Sequence, residues 1–173
     1  MGELKVSRAR EGELVAIGLG SCIGLAIVDR VAGVAGLAHI VLPDSQGANG
    51  PAAKFADTAI PELIACLHKL GANTTRCQAV VVGGARMFAL SGGLDIGARN
   101  DAAVRAGLAR ERIGMSAAAT GGNRGRTVRV TLGTGEVTVQ EAGGDRVTLL
   151  GPLRSEARPS KPIRELGLSG AKT

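Results

Sequence analysis

Tryptophan and tyrosine are absent from this chain of 173 residues, and two phenylalanines bring the aromatic share to only 1%. A core without large rings has to be filled by Val, Ile, Leu and Ala. The same lack removes the stacking platforms on which single-stranded nucleic acid is held. The formal charge of +6 is therefore not read as a nucleic-acid surface: +3 of it falls between Gly151 and Thr173, and the rest is spread thinly. An acidic protein partner fits that charge at least as well. The three cysteines, Cys22, Cys66 and Cys77, form neither a metal-type CxxC pair nor an even disulfide framework. The opening residues MGELKVSRAR are polar, and no run reaches transmembrane length. The expectation is a reducing cytoplasm, with no membrane insertion. The turn GLGSCIG misses the GxGxxG spacing of a dinucleotide site, so neither a cofactor nor a metal is expected.

What is present is a hydrophobic share of 45% and 27 glycines, enough for a genuine core cut by many tight turns. The chain reads as one domain over residues 1–150, followed by a basic, mobile tail over 151–173 rich in proline and charge. Residues 1–12 supply an arm or first strand, and Glu13–Ile17 a strand entering the Gly18–Gly20 turn. Apolar positions from Phe55 to Leu67 recur at helical spacing within Lys54–Leu70. There Pro61 either kinks the helix or opens its main segment, and Cys66 reads as a buried, inert thiol. Cys77–Val82 is strand-like and ends at Gly83-Gly84. Asn100 is the expected N-cap of a helix over Asp101–Arg112. Met115–Thr120, Arg126–Leu132, Glu136–Gln140 and Val147–Leu150 read as further strands, the middle pair joined by Gly133-Thr134-Gly135. Strands, then helices, then strands give a layered α/β or α+β domain.

Chemistry concentrates between Gly18 and Pro43. Cys22 follows a glycine-rich turn, Ile23–Val28 is β-like, and Val34–Val41 carries His39. A hairpin centred between Arg30 and Val31 sets Cys22 opposite His39. An even-length loop keeps both on one face even if the register slips by two. A histidine able to take a cysteine proton is the minimal equipment of a thiol nucleophile. Such a thiol is expected to outpace Cys66 and Cys77 toward an alkylating reagent at neutral pH. His68, near the end of a helix, is explained by a solvated helix terminus.

Six segments, LGSCIG (19–24), AHIVLP (38–43), KFADTAI (54–60), GGARMF (83–88), IGARN (96–100) and TGGNRGR (120–126), resemble, in order, those of the CheD family of chemoreceptor glutamine deamidases. The resemblance implies a three-layer α-β-β sandwich with a cysteine-hydrolase site, and a protein-glutamine deamidase (an amidohydrolase) acting on chemoreceptor cytoplasmic helices in chemotaxis signalling. It assigns Cys22 as nucleophile and His39 as base, reaction passing through a γ-glutamyl thioester. A glutamate methyl ester would pass through the same thioester, so methylesterase activity is a second reaction open to it. Backbone N–H groups around Gly20, Ser21 and Cys22 are the expected oxyanion donors. The family pattern has a threonine six residues before the cysteine, where this chain has Ala16. Ser21 is the nearest alternative hydroxyl in sequence. The resemblance also implies a CheC-type phosphatase as regulatory partner. The competing reading is a CheD-like binding protein for receptors or that phosphatase, its chemistry lapsed, with Ala16 as the motive.

Overall fold

A computed structural model of the chain describes residues 1–87 and 95–152. Phe88 of the GGARMF segment and positions 153–173 of the expected tail lie outside the described residues. Among the described residues nine strands fall in chain order: β1 Leu4–Ser7, β2 Glu13–Leu19, β3 Ile23–Asp29, β4 Val34–Ile40, β5 Gln78–Gly83, β6 Gly114–Thr120, β7 Arg126–Thr131, β8 Glu136–Glu141 and β9 Arg146–Leu150. Two helices, α1 Ala56–Lys69 and α2 Ile96–Arg110, interrupt them. One sheet has the order β1-β4-β3-β5-β6 and the other β2-β7-β8-β9.

Strand β3 is buried along its whole length, and its period of two separates two cores. Leu25 and Ile27 point with Ala79 and Val81 of β5 into a cluster shared with Ile60, Leu63 and Leu67 of α1 and Val104 and Leu108 of α2. Ala26 and Val28 point the other way, with Val80 and Val82, onto Leu14, Val128, Val130 and Val137 of the second sheet. Helices, five-stranded sheet and four-stranded sheet are therefore stacked in that order, the α-β-β sandwich expected of the family. Aliphatic side chains dominate it, joined by the buried Phe55, Cys22 and Cys77: Ile60, Leu63 and Leu67 are each at most 1% exposed, a burial worth about 2 kcal/mol per side chain.

Several local expectations change. Helix α1 begins after Phe55 and runs through Pro61, so of the two expected roles the proline does not open the helix. Cys66 is half-buried, with its Sγ 3.4 Å from Glu62 Oε1, because it stands beside the apolar stripe of α1 rather than on it. Helix α2 starts at Ile96, just over one turn before Asn100, and its N-cap is Asp95, whose carboxylate accepts from the Ala98 N–H at 3.0 Å. Asn100 is instead fully buried within the helix.

Candidate active site

Strands β3 and β4 pair antiparallel from Ile23↔Ile40 to Asp29↔Val34. The hairpin centre thus lies between Val31 and Ala32, one residue beyond the expected point, and the register slips by two. His39 stands opposite Gly24 rather than Cys22. Asp29 drives the slip: its carboxylate accepts from the N–H groups of Val31 and Ala32, each at 3.1 Å, and so fixes a four-residue loop. That loop is even in length, so Cys22 and His39 keep the same parity and look toward the second sheet. Diagonal neighbours on an antiparallel pair have Cα atoms about 7–8 Å apart, the Cβ atoms somewhat closer. Leu19 and Val128 pack over Gly24, where a Cβ would come within 2.7 Å of Leu19 and 2.8 Å of Val128.

The segment Gly20-Ser21-Cys22 is held by its carbonyls. Gly20 C=O accepts from the Ala85 N–H at 2.7 Å and Cys22 C=O from the Gly84 N–H at 2.9 Å. Ser21 C=O accepts from Asn100 Nδ2 at 2.9 Å. Gly83 makes this approach possible: its φ is +116°, and a Cβ there would run into the Cys22 carbonyl. Across a planar trans peptide the N–H points opposite to the preceding carbonyl. The N–H groups of Ser21 and Cys22 are thereby turned away from the loop's anchors, and neither donates to a backbone carbonyl among the described residues. The Gly20 N–H is already spent on Gly18 C=O at 3.0 Å, which removes it from the expected donors.

Cys22 is 8% exposed. Burial pushes its thiol above the ordinary value of 9.0, against smaller downward pulls from the N-terminal ammonium and its own backbone N–H. His39 is half-buried, and burial holds its imidazole below the ordinary 6.5, helped by the N-terminal ammonium and opposed by Glu3. The resting pair is accordingly a neutral thiol and a neutral imidazole. The Nε2 nitrogen of His39 is buried without a hydrogen-bond partner among the described residues. His39 lines a cleft of about 620 Å³ between the β1/β4 edge and β2, together with Glu3, Leu14, Ala16, Ile17 and Leu37. Cys22 stands outside the wall of this cleft. Ala16, where the resemblance implies a threonine, is within it, so no side-chain hydroxyl enters from that point of β2. His68 lies elsewhere, bonded to Thr74 Oγ1 at 2.7 Å. Among the described residues no group of three or more His, Cys, Asp or Glu forms a metal-holding cluster.

Asn100 is the residue of this neighbourhood that sequence reading placed wrongly. Its Nδ2 donates at 2.9 Å to both Ser21 C=O and Val41 C=O. The only available signal was an asparagine five residues past a better cap, Asp95.

Comparison with known proteins bears on the whole chain. The family described as "CheD chemotactic sensory transduction" matches residues 41–141, a span that begins after Cys22 and His39. A "Probable chemoreceptor glutamine deamidase CheD" of Symbiobacterium thermophilum is 46% identical over 149 residues, covering 83% of this chain and 90% of that protein. The "Chemoreceptor glutamine deamidase CheD" of Thermotoga maritima is 43% identical over 144 residues, again 83% and 90%. A third, from Syntrophomonas wolfei, is 40% identical over 153 residues, 85% of this chain and 94% of the relative. With the sandwich, the six ordered segments and these relatives together, the chain belongs to the CheD family.

Proposed function

We propose that this chain is a chemoreceptor glutamine deamidase in which Cys22 is the nucleophile and His39 the general base. The observation that carries the assignment is the shared face of Cys22 and His39 at the open end of the β3–β4 hairpin, beside a cleft that His39 lines. Family membership supplies the substrate class, glutamine side chains of chemoreceptors. Within this reading the receptor helices belong to the cytoplasmic region, a CheC-type phosphatase is a further partner, and the enzyme works in the cytoplasm.

The protonation states dictate the order of events. Because the thiol is raised and the imidazole lowered, no thiolate–imidazolium pair waits at rest. His39 removes the Cys22 proton as the sulfur attacks the carboxamide carbon, a general-base step. Charge develops on the former amide oxygen, and the outward-turned N–H groups of Ser21 and Cys22 are the donors placed to receive it. The imidazolium then protonates the departing nitrogen, ammonia leaves, and a γ-glutamyl thioester on Cys22 remains. Water, deprotonated by His39, attacks the thioester; the tetrahedral intermediate collapses to glutamate and the Cys22 thiolate, which recovers the proton. A glutamate methyl ester enters the same path with methanol as leaving group.

The test is incubation of the purified protein with a chemoreceptor cytoplasmic fragment, with Gln-to-Glu conversion mapped by mass spectrometry. Conversion by the wild type, abolished in Cys22→Ala and His39→Ala, is expected. Binding without conversion by the wild type, or conversion surviving in Cys22→Ala, overturns the reading.

A further inference from the structure

Beyond Ile23↔Ile40 the β3–β4 ladder stops. The next pair in register, Cys22 and Val41, makes no rung: Val41 N–H turns to Lys54 C=O at 2.9 Å, and Cys22 C=O accepts from Gly84 N–H. The two strands part at the place where the nucleophile leaves one and the base sits near the end of the other. A single carboxamide spans this gap. Asn100, fully buried in the middle of α2, spends one N–H of its Nδ2 on Ser21 C=O and the other on Val41 C=O, both at 2.9 Å.

The arrangement carries a cost. The Oδ1 of Asn100 is buried and has no hydrogen-bond partner among the described residues, and an unpaired buried acceptor costs about 1–3 kcal/mol. Rotating the amide would offer oxygen to two carbonyl oxygens, so the orientation is fixed. An apolar residue here would avoid the unpaired oxygen, as Val104 does one turn further along the same buried face. A group whose burial is only half compensated calls for an explanation.

Resting on the deamidase reading above, we propose that Asn100 is the positioning residue of the site: its carboxamide clamps the nucleophile loop to the base strand and turns the Cys22 N–H toward the substrate oxyanion. The peptide plane joining Ser21 to Cys22 is the lever. With Ser21 C=O pinned to Asn100, the Cys22 N–H points the opposite way, and the pin on Val41, two residues from His39, fixes the base relative to that plane. Asn100 has no exposed surface and touches no substrate, so it acts on turnover and leaves receptor binding alone.

The experiment compares wild type, Asn100→Ala, Asn100→Leu and Cys22→Ala on a receptor fragment, measuring kcat, KM and thermal melting. Both Asn100 variants are expected to fold and to lose kcat by about 100-fold, the effect of misplacing reacting groups by about an ångström, with KM within about twofold of wild type. Leucine keeps the volume without the donors, so its loss is to match that of alanine. Unchanged kcat in either folded variant overturns the proposal, as does a rise in KM at constant kcat. Failure of both variants to fold also overturns it, because the clamp would then serve the fold alone. Cys22→Ala separates the two levels: activity surviving there removes the deamidase assignment itself, whereas an inactive Cys22→Ala beside a fully active Asn100→Ala removes only the positioning role.

Discussion

His39 and Ala16 line the same cleft, and the Nε2 of His39 is buried without a hydrogen-bond partner among the described residues. Ala16 brings only a methyl group to the position where the family pattern carries a hydroxyl, and the imidazole keeps an unsatisfied nitrogen. An orienting hydrogen bond is worth about 1 kcal/mol, roughly a fivefold change in rate. Ala16→Thr is therefore expected to raise kcat for receptor deamidation about fivefold. A folded Ala16→Thr enzyme no faster than wild type would show that the ring is already oriented by packing.

The pH dependence follows from the lowered imidazole. The base must be neutral to act, and burial shifts its protonation to below pH 6.5. Activity is expected to hold as pH falls toward 6.5 and to drop only beneath it, read as the acid limb of kcat/KM. A midpoint above 6.5 would contradict the burial of His39.

Thiol reactivity is expected to follow exposure, which reverses the order anticipated from sequence. All three thiols are raised: Cys66, half-buried, by burial and by Glu62, Cys22 by its deeper burial, and Cys77 by burial to about 11. Iodoacetamide at neutral pH should label Cys66 first, Cys22 more slowly and Cys77 last, as followed by peptide mass spectrometry. Faster labelling of Cys22 than of Cys66 would mean a preformed thiolate and a different first step.

Gly24 offers a packing test. A Cβ at this position would come within 2.7 Å of Leu19 and 2.8 Å of Val128, both fully buried. Gly24→Ala is expected to destabilise the fold by about 1–3 kcal/mol through overpacking, measured by denaturant unfolding. A neutral effect would show that Leu19 yields freely.

The buried carboxylate at the other end of the hairpin predicts acid sensitivity. Burial alone would raise Asp29, but the Arg76 guanidinium at 2.8 Å and the N–H groups of Asn73 and Ala32 outweigh it and hold the carboxyl below its ordinary 3.8. Its contribution to stability is complete above that value and is lost as pH falls through the depressed one. Arg76→Leu strips the main partner, so it should lower stability at neutral pH and blunt the acid transition. An unchanged melting temperature would assign the hairpin turn to backbone bonds alone.

Much of this was legible in the residues. Apolar runs located β3, β4 and β5, the helical spacing from Phe55 to Leu67 located α1, and the Gly83-Gly84 pair marked the end of β5. Parity also survived: an even loop keeps Cys22 and His39 on one face whichever register is chosen. The register itself was not legible, because it depends on Asp29 capturing two N–H groups ahead of it. Nor was the true start of α2, where Asp95 rather than Asn100 accepts the capping bond.

The sequence by itself determined which residues share a strand face and which family the chain resembles, since both depend on local periods and short ordered segments. Only the tertiary structure decided that the Cys22 loop is pinned by an asparagine 79 residues away, that Gly20 has no N–H to spare, and that burial raises the Cys22 thiol. Those outcomes depend on burial and on which donor meets which carbonyl when three layers close. No local pattern encodes either.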